Sequence, residues 1–281
     1  VKSETPITEK TIKVTTDVLD INIRLRGGDV VYASLPQFQA TIESKDTPFV
    51  LLEEKDRRTV YIAQSALIGL DKGDDRAEFT TAAASYQLAD DKDQLIVDLK
   101  TSSNTGVEFT KRFTFTRGEY LVNVEYLVNN KSNETWSGQL FAQLKRGNRK
   151  DPGSTATAMG MQPFLGIATR TNEERFIKTK FADMADKKFT ADVTGGWISI
   201  VQHYFISAWI PEPTGNYQYS TTTTEDFNFI RFKGQKLALK PGDSGSVSAG
   251  LYVGPKDQYS LEKIAPGLEL TVDYGILWWI A

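Results

Sequence analysis

The sequence predicts an all-β protein, a large antiparallel sandwich that ends in a short helical segment. Three features carry this. Apolar and polar residues alternate with period two over most of the chain, as strands with one buried face require. Clusters of Gly, Asn and Asp punctuate those runs as turns. No fixed-period repeat is present, which disfavours a propeller or a solenoid.

Leu19, Ile21, Ile23 and Leu25 alternate with Asp20, Asn22 and Arg24, giving a half-buried strand. Arg26-Gly27-Gly28-Asp29 is then a tight turn, and Val30 to Leu35 the returning strand. Leu95, Val97 and Leu99 form a short strand. Phe109, Phe113 and Phe115 share one face, Arg117-Gly118-Glu119 turns the chain, and Tyr120, Val122, Val124, Tyr126 and Val128 share the face of the next strand. Asn129 to Asn133 is a further turn, and Trp136 to Leu144 a further strand. From Trp197 to Ile210 both parities are apolar, as in a strand buried on both faces; a buried helix is the alternative. Gly195-Gly196 before it and Pro211 after it favour the strand. Phe227 to Phe232, Leu237 to Leu239 and Val247 to Val253 continue the sheet signal, with turns expected at Lys233-Gly234-Gln235 and Pro241-Gly242-Asp243.

Gly254-Pro255 resembles an N-cap with proline at the first helical position. Leu261, Ile264 and Ala265 follow at helical spacing, and Pro266-Gly267 stops that helix. The expected division is therefore a sandwich over residues 1–253 and a helical segment over 254–281. The end is apolar and aromatic: Val272, Tyr274, Ile276, Leu277, Trp278, Trp279, Ile280. It is too short to cross a bilayer. It fits either an interfacial belt or a segment tucked into the core. The apolar run breaks off at Ala281, as expected of a piece of a longer protein.

The chain has 281 residues, 40% of them hydrophobic and 11% aromatic, enough for one large domain with a real core. Its net charge of −3 argues against nucleic acid as a partner, because a phosphate-binding surface needs a basic excess. With no cysteine there are no disulfides, thiolate metal sites or cysteine nucleophiles. The one histidine, His203, lies inside the apolar Trp197 to Ile210 run and leaves a histidine-based triad or zinc site without its parts. Gly242-Asp243-Ser244-Gly245 spells a serine-protease string, but in the setting of a turn. Asp71, Asp74 and Asp75 lack the order of a calcium loop and read as solvated, as do Asp90, Asp91 and Asp93. Lys145, Arg146, Arg149 and Lys150 form a small basic cluster, either a solvated loop or an anion contact. Asn130-Lys131-Ser132 marks a surface turn. No cofactor and no metal are expected, and no catalytic residue is identified.

Several stretches together resemble the large periplasmic domain of the YidC/Oxa/Alb family of membrane protein insertases. They are Thr16-Asp17-Val18-Leu19-Asp20-Ile21 leading to Arg26-Gly27-Gly28-Asp29-Val30, Phe109-Thr110-Lys111 through Arg117-Gly118-Glu119-Tyr120, and Gly195-Gly196-Trp197 continuing to Gln202-His203-Tyr204-Phe205 and Ala208-Trp209-Ile210-Pro211. The ending is the most telling: Leu251-Tyr252-Val253-Gly254-Pro255, Ala265-Pro266 and Leu270-Thr271-Val272-Asp273-Tyr274-Gly275. Residues 146–194 match least. The resemblance implies a periplasmic domain of a Gram-negative inner-membrane protein. It also implies a β-supersandwich of galactose mutarotase-like topology. The partners it implies are the Sec translocon with its accessory subunits, and nascent membrane proteins through a membrane core absent from this chain.

The function expected is docking and scaffolding for an insertase and chaperone, not catalysis. Leu261, Ile264, Tyr274, Leu277, Trp278 and Trp279 are the candidate docking or membrane-proximal residues, with the membrane surface a partner at that end. The alternative is a carbohydrate- or peptide-binding module, with Trp197, Trp209 and Tyr217 lining a cleft. A mutarotase-like enzyme ranks last, since one histidine makes its acid–base site doubtful.

Overall fold

The computed structural model describes residues 10–40, 47–56, 59–71, 73, 75–148 and 164–272. Its strands are, in order, β1 (Thr11–Thr15), β2 (Asp20–Arg24), β3 (Val30–Gln39), β4 (Pro48–Glu54), β5 (Val60–Ile68), β6 (Ser85–Gln87), β7 (Gln94–Ser102), β8 (Val107–Thr116), β9 (Leu121–Asn130), β10 (Trp136–Gly147), β11 (Gly166–Arg170), β12 (Ile177–Lys180), β13 (Thr190–Thr194), β14 (Trp197–Val201), β15 (Phe205–Pro211), β16 (Asn216–Thr223), β17 (Phe227–Leu239) and β18 (Ser244–Pro255). One α-helix, α1 (Gln258–Ile264), and a 3₁₀ turn at Leu268–Thr271 close the described chain.

The strands form two stacked sheets. One has ten strands in the order β13-β16-β17-β10-β5-β4-β3-β2-β1-β6; the other has eight, β12-β11-β14-β15-β18-β9-β8-β7. Pairing is antiparallel throughout the named strands except between β1 and β6. Between the sheets lies one continuous core. The ten-stranded sheet contributes Ile21, Ile23, Ala33, Leu67, Leu144 and Phe232; the other contributes Val97, Phe109, Phe113, Phe115, Tyr126 and Trp209. Each fully buried Val, Leu, Ile or Phe among them contributes about 1.5–3 kcal/mol.

The alternating runs lie where the sequence places them. Gly27 and Gly28 turn β2 into β3 with φ of 79° and 64°, and Gly118 turns β8 into β9 with φ of 74°, a region that favours glycine. Three expectations are corrected. The apolar run from Trp197 to Ile210 is two paired strands, β14 and β15, with Ile198 opposite Trp209. Gln202-His203-Tyr204 is the connection between them, so His203 sits exposed at a turn, and Pro211 is the last residue of β15. Lys233-Gly234-Gln235 is no turn: β17 runs straight through it. Lys236 pairs with Gln139 and Lys233 with Phe141, so Gly234 and Gln235 both oppose Leu140 in a bulge. Pro255 ends β18 and does not begin a helix; the N-cap of α1 is Asp257, whose carboxylate accepts from Ser260 N at 2.9 Å.

The expectation of burial on both faces holds for β14 and β15. Ile198, Ile200 and Trp209 face the sandwich core. Trp197, Val201, Ile206 and Ala208 face outward, where Leu261, Ala265 and Leu268 cover them.

Candidate functional site

The docking residues expected from sequence fall into two groups. Leu261 is fully buried and Ile264 half-buried, both packed on the outer face of the eight-stranded sheet against Trp197, Ile206 and Tyr252. Polar contacts lock the same segment. Trp197 Nε1 donates to Pro266 O at 3.2 Å, and Arg170 Nη1 donates to that oxygen at 2.8 Å. Around this covered face stand the exposed side chains Tyr204, Tyr259 and Leu270. Tyr274, Leu277, Trp278 and Trp279 lie outside the described residues.

The cleft expected from Trp197, Trp209 and Tyr217 does not form around these three. Trp197 and Trp209 are 0% and 1% exposed and point to opposite faces of one sheet. Trp209 Nε1 donates across the sandwich to Gln143 O at 3.1 Å. Only Tyr217 borders open space, a recess of about 430 Å³ shared with Glu212 and Asn216.

Sequence reasoning missed a buried ionic cluster at the centre of the sandwich. Asp71 is not solvated. It is buried, and its carboxylate accepts from Leu67 N at 3.0 Å, Ala77 N at 3.0 Å and Arg76 Nε at 3.1 Å. Arg76 also donates to Asp29 and to the carbonyls of Gly27 and Ser65. Lys111, on β8, is fully buried. Its Nζ donates to Gly28 O at 2.7 Å, Gly27 O at 3.0 Å and Ser65 O at 3.2 Å, and stands 5.1 Å from the Tyr126 ring centre. The cluster thus ties the β2–β3 turn in one sheet to β8 in the other.

Burial pushes Lys111 down to about 7, against the pull of Asp29. Burial also lowers Arg76, but Asp29 and Asp71 outweigh it and hold the guanidinium above its ordinary range. Burial raises the Tyr126 phenol well above its usual value. Perturbed groups of this kind mark active sites when a cleft reaches them. Here Lys111 is 0% exposed and its hydrogen bonds run to main-chain carbonyls. The geometry is that of a staple between sheets.

The other sequence candidates resolve simply. His203 packs edge-on against Tyr204, with ring centres 3.9 Å apart. Ser244 donates to Asn129 Oδ1 at 3.2 Å beside the Gly242 turn, whose φ of 85° explains the glycine. Asn130 is buried and donates to Leu239 O and Glu134 O, so the Asn130-Lys131-Ser132 string braces the turn from within. Lys145 and Arg146 belong to β10, not to a loop; Arg146 is buried over the Tyr61 ring at 4.7 Å. Arg149, Lys150 and Asp74 lie outside the described residues. Among the described residues, no three His, Cys, Asp or Glu side chains gather as a metal site would require, and no helix is long and apolar enough to cross a membrane.

Comparison with known proteins adds to this geometry. The family described as the YidC periplasmic domain matches residues 11–281. Curated relatives named membrane protein insertase YidC include those of Stutzerimonas stutzeri, 45% identical over 96% of this chain, and Cellvibrio japonicus, 43% identical over 96%. The one from Pseudomonas entomophila is 45% identical over 98%. The chain spans about half the length of these relatives, 49% in each case. Among solved structures, a galactose mutarotase-like protein from Lactobacillus casei superposes with a TM-score of 0.56 at 10% identity, covering 86% of this chain and 99% of its own. The Slr1438 protein from Synechocystis does so with 0.55 at 11%, covering 90% and 99%. Likeness at that identity establishes the sandwich topology alone.

Proposed function

The chain belongs to the YidC periplasmic domain family, and on that premise we propose that it is the docking and scaffolding domain of a membrane protein insertase. It would sit on the periplasmic side of a Gram-negative inner membrane. There it would hold a membrane core, carried by the part of the relatives this chain does not span, close to its partners. Those partners would be the Sec translocon with its accessory subunits, and nascent membrane proteins reaching the core. The segment from 254 onward would be the joint between sandwich and membrane core, with Tyr274, Leu277, Trp278 and Trp279 at the bilayer surface.

One observation carries this reading. The last described segment is seated on a sheet face by Leu261 and Leu268 and clamped by Trp197 and Arg170 through Pro266 O. A joint packed in this way transmits orientation, whereas a solvated linker would not. The exposed Tyr204, Tyr259 and Leu270 beside it suit a headgroup-level contact.

A catalytic role has little to work with. The strongly perturbed Lys111 and Tyr126 are sealed in the core, and His203 stands on an exposed turn. A carbohydrate- or peptide-binding module gains nothing from Trp197 and Trp209, which are closed to solvent.

The test uses the full-length insertase that carries this domain. Leu261→Glu should free the joint, slow insertion of a membrane-protein client, and weaken co-purification of Sec subunits. Normal insertion and co-purification, with proteolysis showing the segment released, would refute the scaffold role.

A further inference from the structure

The face of the ten-stranded sheet that turns away from the core carries a second set of charges, unlike the first. Cross-strand partners share a face. Lys145 on β10 lies opposite Ile62 on β5 and Phe229 on β17; Gln143 lies opposite Gln64 and Arg231. On β16, Thr222 and Ser220 continue the two rows. The Lys145 ammonium is 4.1 Å from the Phe227 ring centre and 6.0 Å from that of Phe229; the Arg231 guanidinium is 5.2 Å from Phe229. Both cations therefore flank a single phenyl ring.

Neither cation meets a carboxylate among the described residues. Glu54 is taken by Arg24, and Asp29 by Arg76 and Gln64. Arg231 Nε is buried without a hydrogen-bond partner. Burial lowers both Lys145 and Arg231; at Lys145 Arg24 adds to the effect and Asp29, already engaged by Arg76 and Gln64, only partly opposes it. Beneath them Val31, Val60 and Ile62 form a small apolar floor under Phe227. Two half-desolvated cations with no carboxylate in contact among the described residues cost stability, and such local rule-breaking concentrates where a ligand completes the arrangement.

The neighbouring amides give the ligand a second feature. Gln64 Nε2 donates to Asp29 at 2.7 Å, and Gln143 Nε2 donates to Gln64 Oε1 at 2.8 Å. That chain starts from a buried carboxylate and so fixes the order of donors and acceptors. It leaves the Gln143 carbonyl to accept from outside, next to the two cations. An acid group with a hydroxyl beside it fits this layout. A sheet face offers side chains but no main-chain ladder, so an extended peptide would lose its usual source of hydrogen bonds here.

We infer that this face binds a small soluble sugar acid or sugar phosphate, its acid group between Lys145 and Arg231 and a hydroxyl on Gln143. The test is calorimetric titration of the chain with glucuronate and glucose 6-phosphate. Glucose, inorganic phosphate and a glutamate-rich peptide serve as comparisons. Saturable binding of one of the two acidic sugars is expected, with little from glucose. Lys145→Met and Arg231→Met should each weaken it by about tenfold or more, as loss of a charge-assisted contact does. Lys240→Met, at an exposed turn, should not. Thermal melting supplies an independent readout: both face variants should melt no lower than the parent, because a partly desolvated cation is removed and no contacting ion pair is broken among the described residues. Absence of saturable binding, or binding unchanged in both variants, would overturn the inference. So would inorganic phosphate or the acidic peptide binding as tightly as the sugars.

Discussion

Raising the pH from about 7 to about 9 should stabilise this protein, and Lys111→Met should abolish the gain. In the folded chain burial brings Lys111 from its ordinary 10.5 to about 7. The unfolded chain keeps the lysine proton up to the ordinary value. Between those limits the unfolded state binds more protons, so stability rises with pH. Below the folded value both states are protonated, and the full cost of a buried ammonium is present. Each pH unit is worth about 1.4 kcal/mol, so the whole window is worth on the order of 5 kcal/mol, and the span from 7 to 9 about 2 kcal/mol. Above that range tyrosine ionisation opposes the gain, because burial keeps Tyr126 protonated while unfolded tyrosines begin to ionise. Other groups titrate over the same span, so the quantity to compare is the difference between parent and variant. Urea unfolding followed by tryptophan fluorescence gives it at both pH values. The destabilisation caused by Lys111→Met should be larger at the higher pH by about 2 kcal/mol. An equal destabilisation at both would show that Lys111 holds its proton across the window, and that burial does not dominate its environment.

Three further outcomes follow from the same geometry. Asp71→Asn removes one carboxylate from a buried ionic cluster and should cost about 3–5 kcal/mol in urea unfolding, whereas Asp91→Asn, at an exposed turn, should change stability by less than about 0.5 kcal/mol. Gly28→Ala should destabilise by more than Gly118→Ala. Both have positive φ, but the added methyl at position 28 would sit 2.7 Å from Lys111 Cδ, while at 118 it meets nothing within 4 Å; equal losses in melting temperature would count against the tight fit. Leu261→Ala should cost about 2–5 kcal/mol of local stability. It should speed hydrogen exchange in α1 and shift Trp197 emission to the red, and unchanged exchange would show that the segment is held elsewhere.

The legible part of the fold is the part governed by nearest neighbours. β2, β8 and β9 show through the sequence because one face is buried and one is not, so each residue reports its side. That signal fails where both faces are covered. In β14 and β15 the apolar parity carries on regardless of where the chain turns, and the only mark of the turn was the polar break at Gln202-His203. Glycine misled in β17 because a bulge and a turn both use it, and the choice depends on the partner strand. The buried cluster depends on contacts between residues far apart in sequence, 83 positions for Lys111 and Gly28 and 47 for Arg76 and Asp29. A hint was nonetheless present. Position 111 falls on the same face as Phe109, Phe113 and Phe115, and a lysine inside an aromatic face needs partners. The short helix at the end of the described chain was legible through spacing at Leu261 and Ile264 and through the family strings around it. The burial of Trp197 and Trp209 was not, because a tryptophan in a strand has the same appearance whether it faces a ligand, a core or a helix.

The two charged groups on either side of the ten-stranded sheet show how burial alone misleads about function. Lys111 is the more perturbed, yet its three hydrogen bonds go to main-chain carbonyls and solvent does not reach it. A group so fully satisfied holds sheets together and has nothing left to offer a ligand. Lys145 and Arg231 are less perturbed, and among the described residues they touch aromatic rings but no carboxylate, with Asp29 acting on Lys145 only from a distance. An aromatic face is worth about 0.5–2 kcal/mol to a cation, well short of what breaking a buried ion pair costs, so the described residues leave these cations room for a ligand's charge. Unmet valence, more than the size of a pKa shift, is what separates a binding face from a structural staple in this sandwich. It is also why the melting temperature of Lys145→Met is informative: a staple loses stability when cut, and an unsatisfied cation does not.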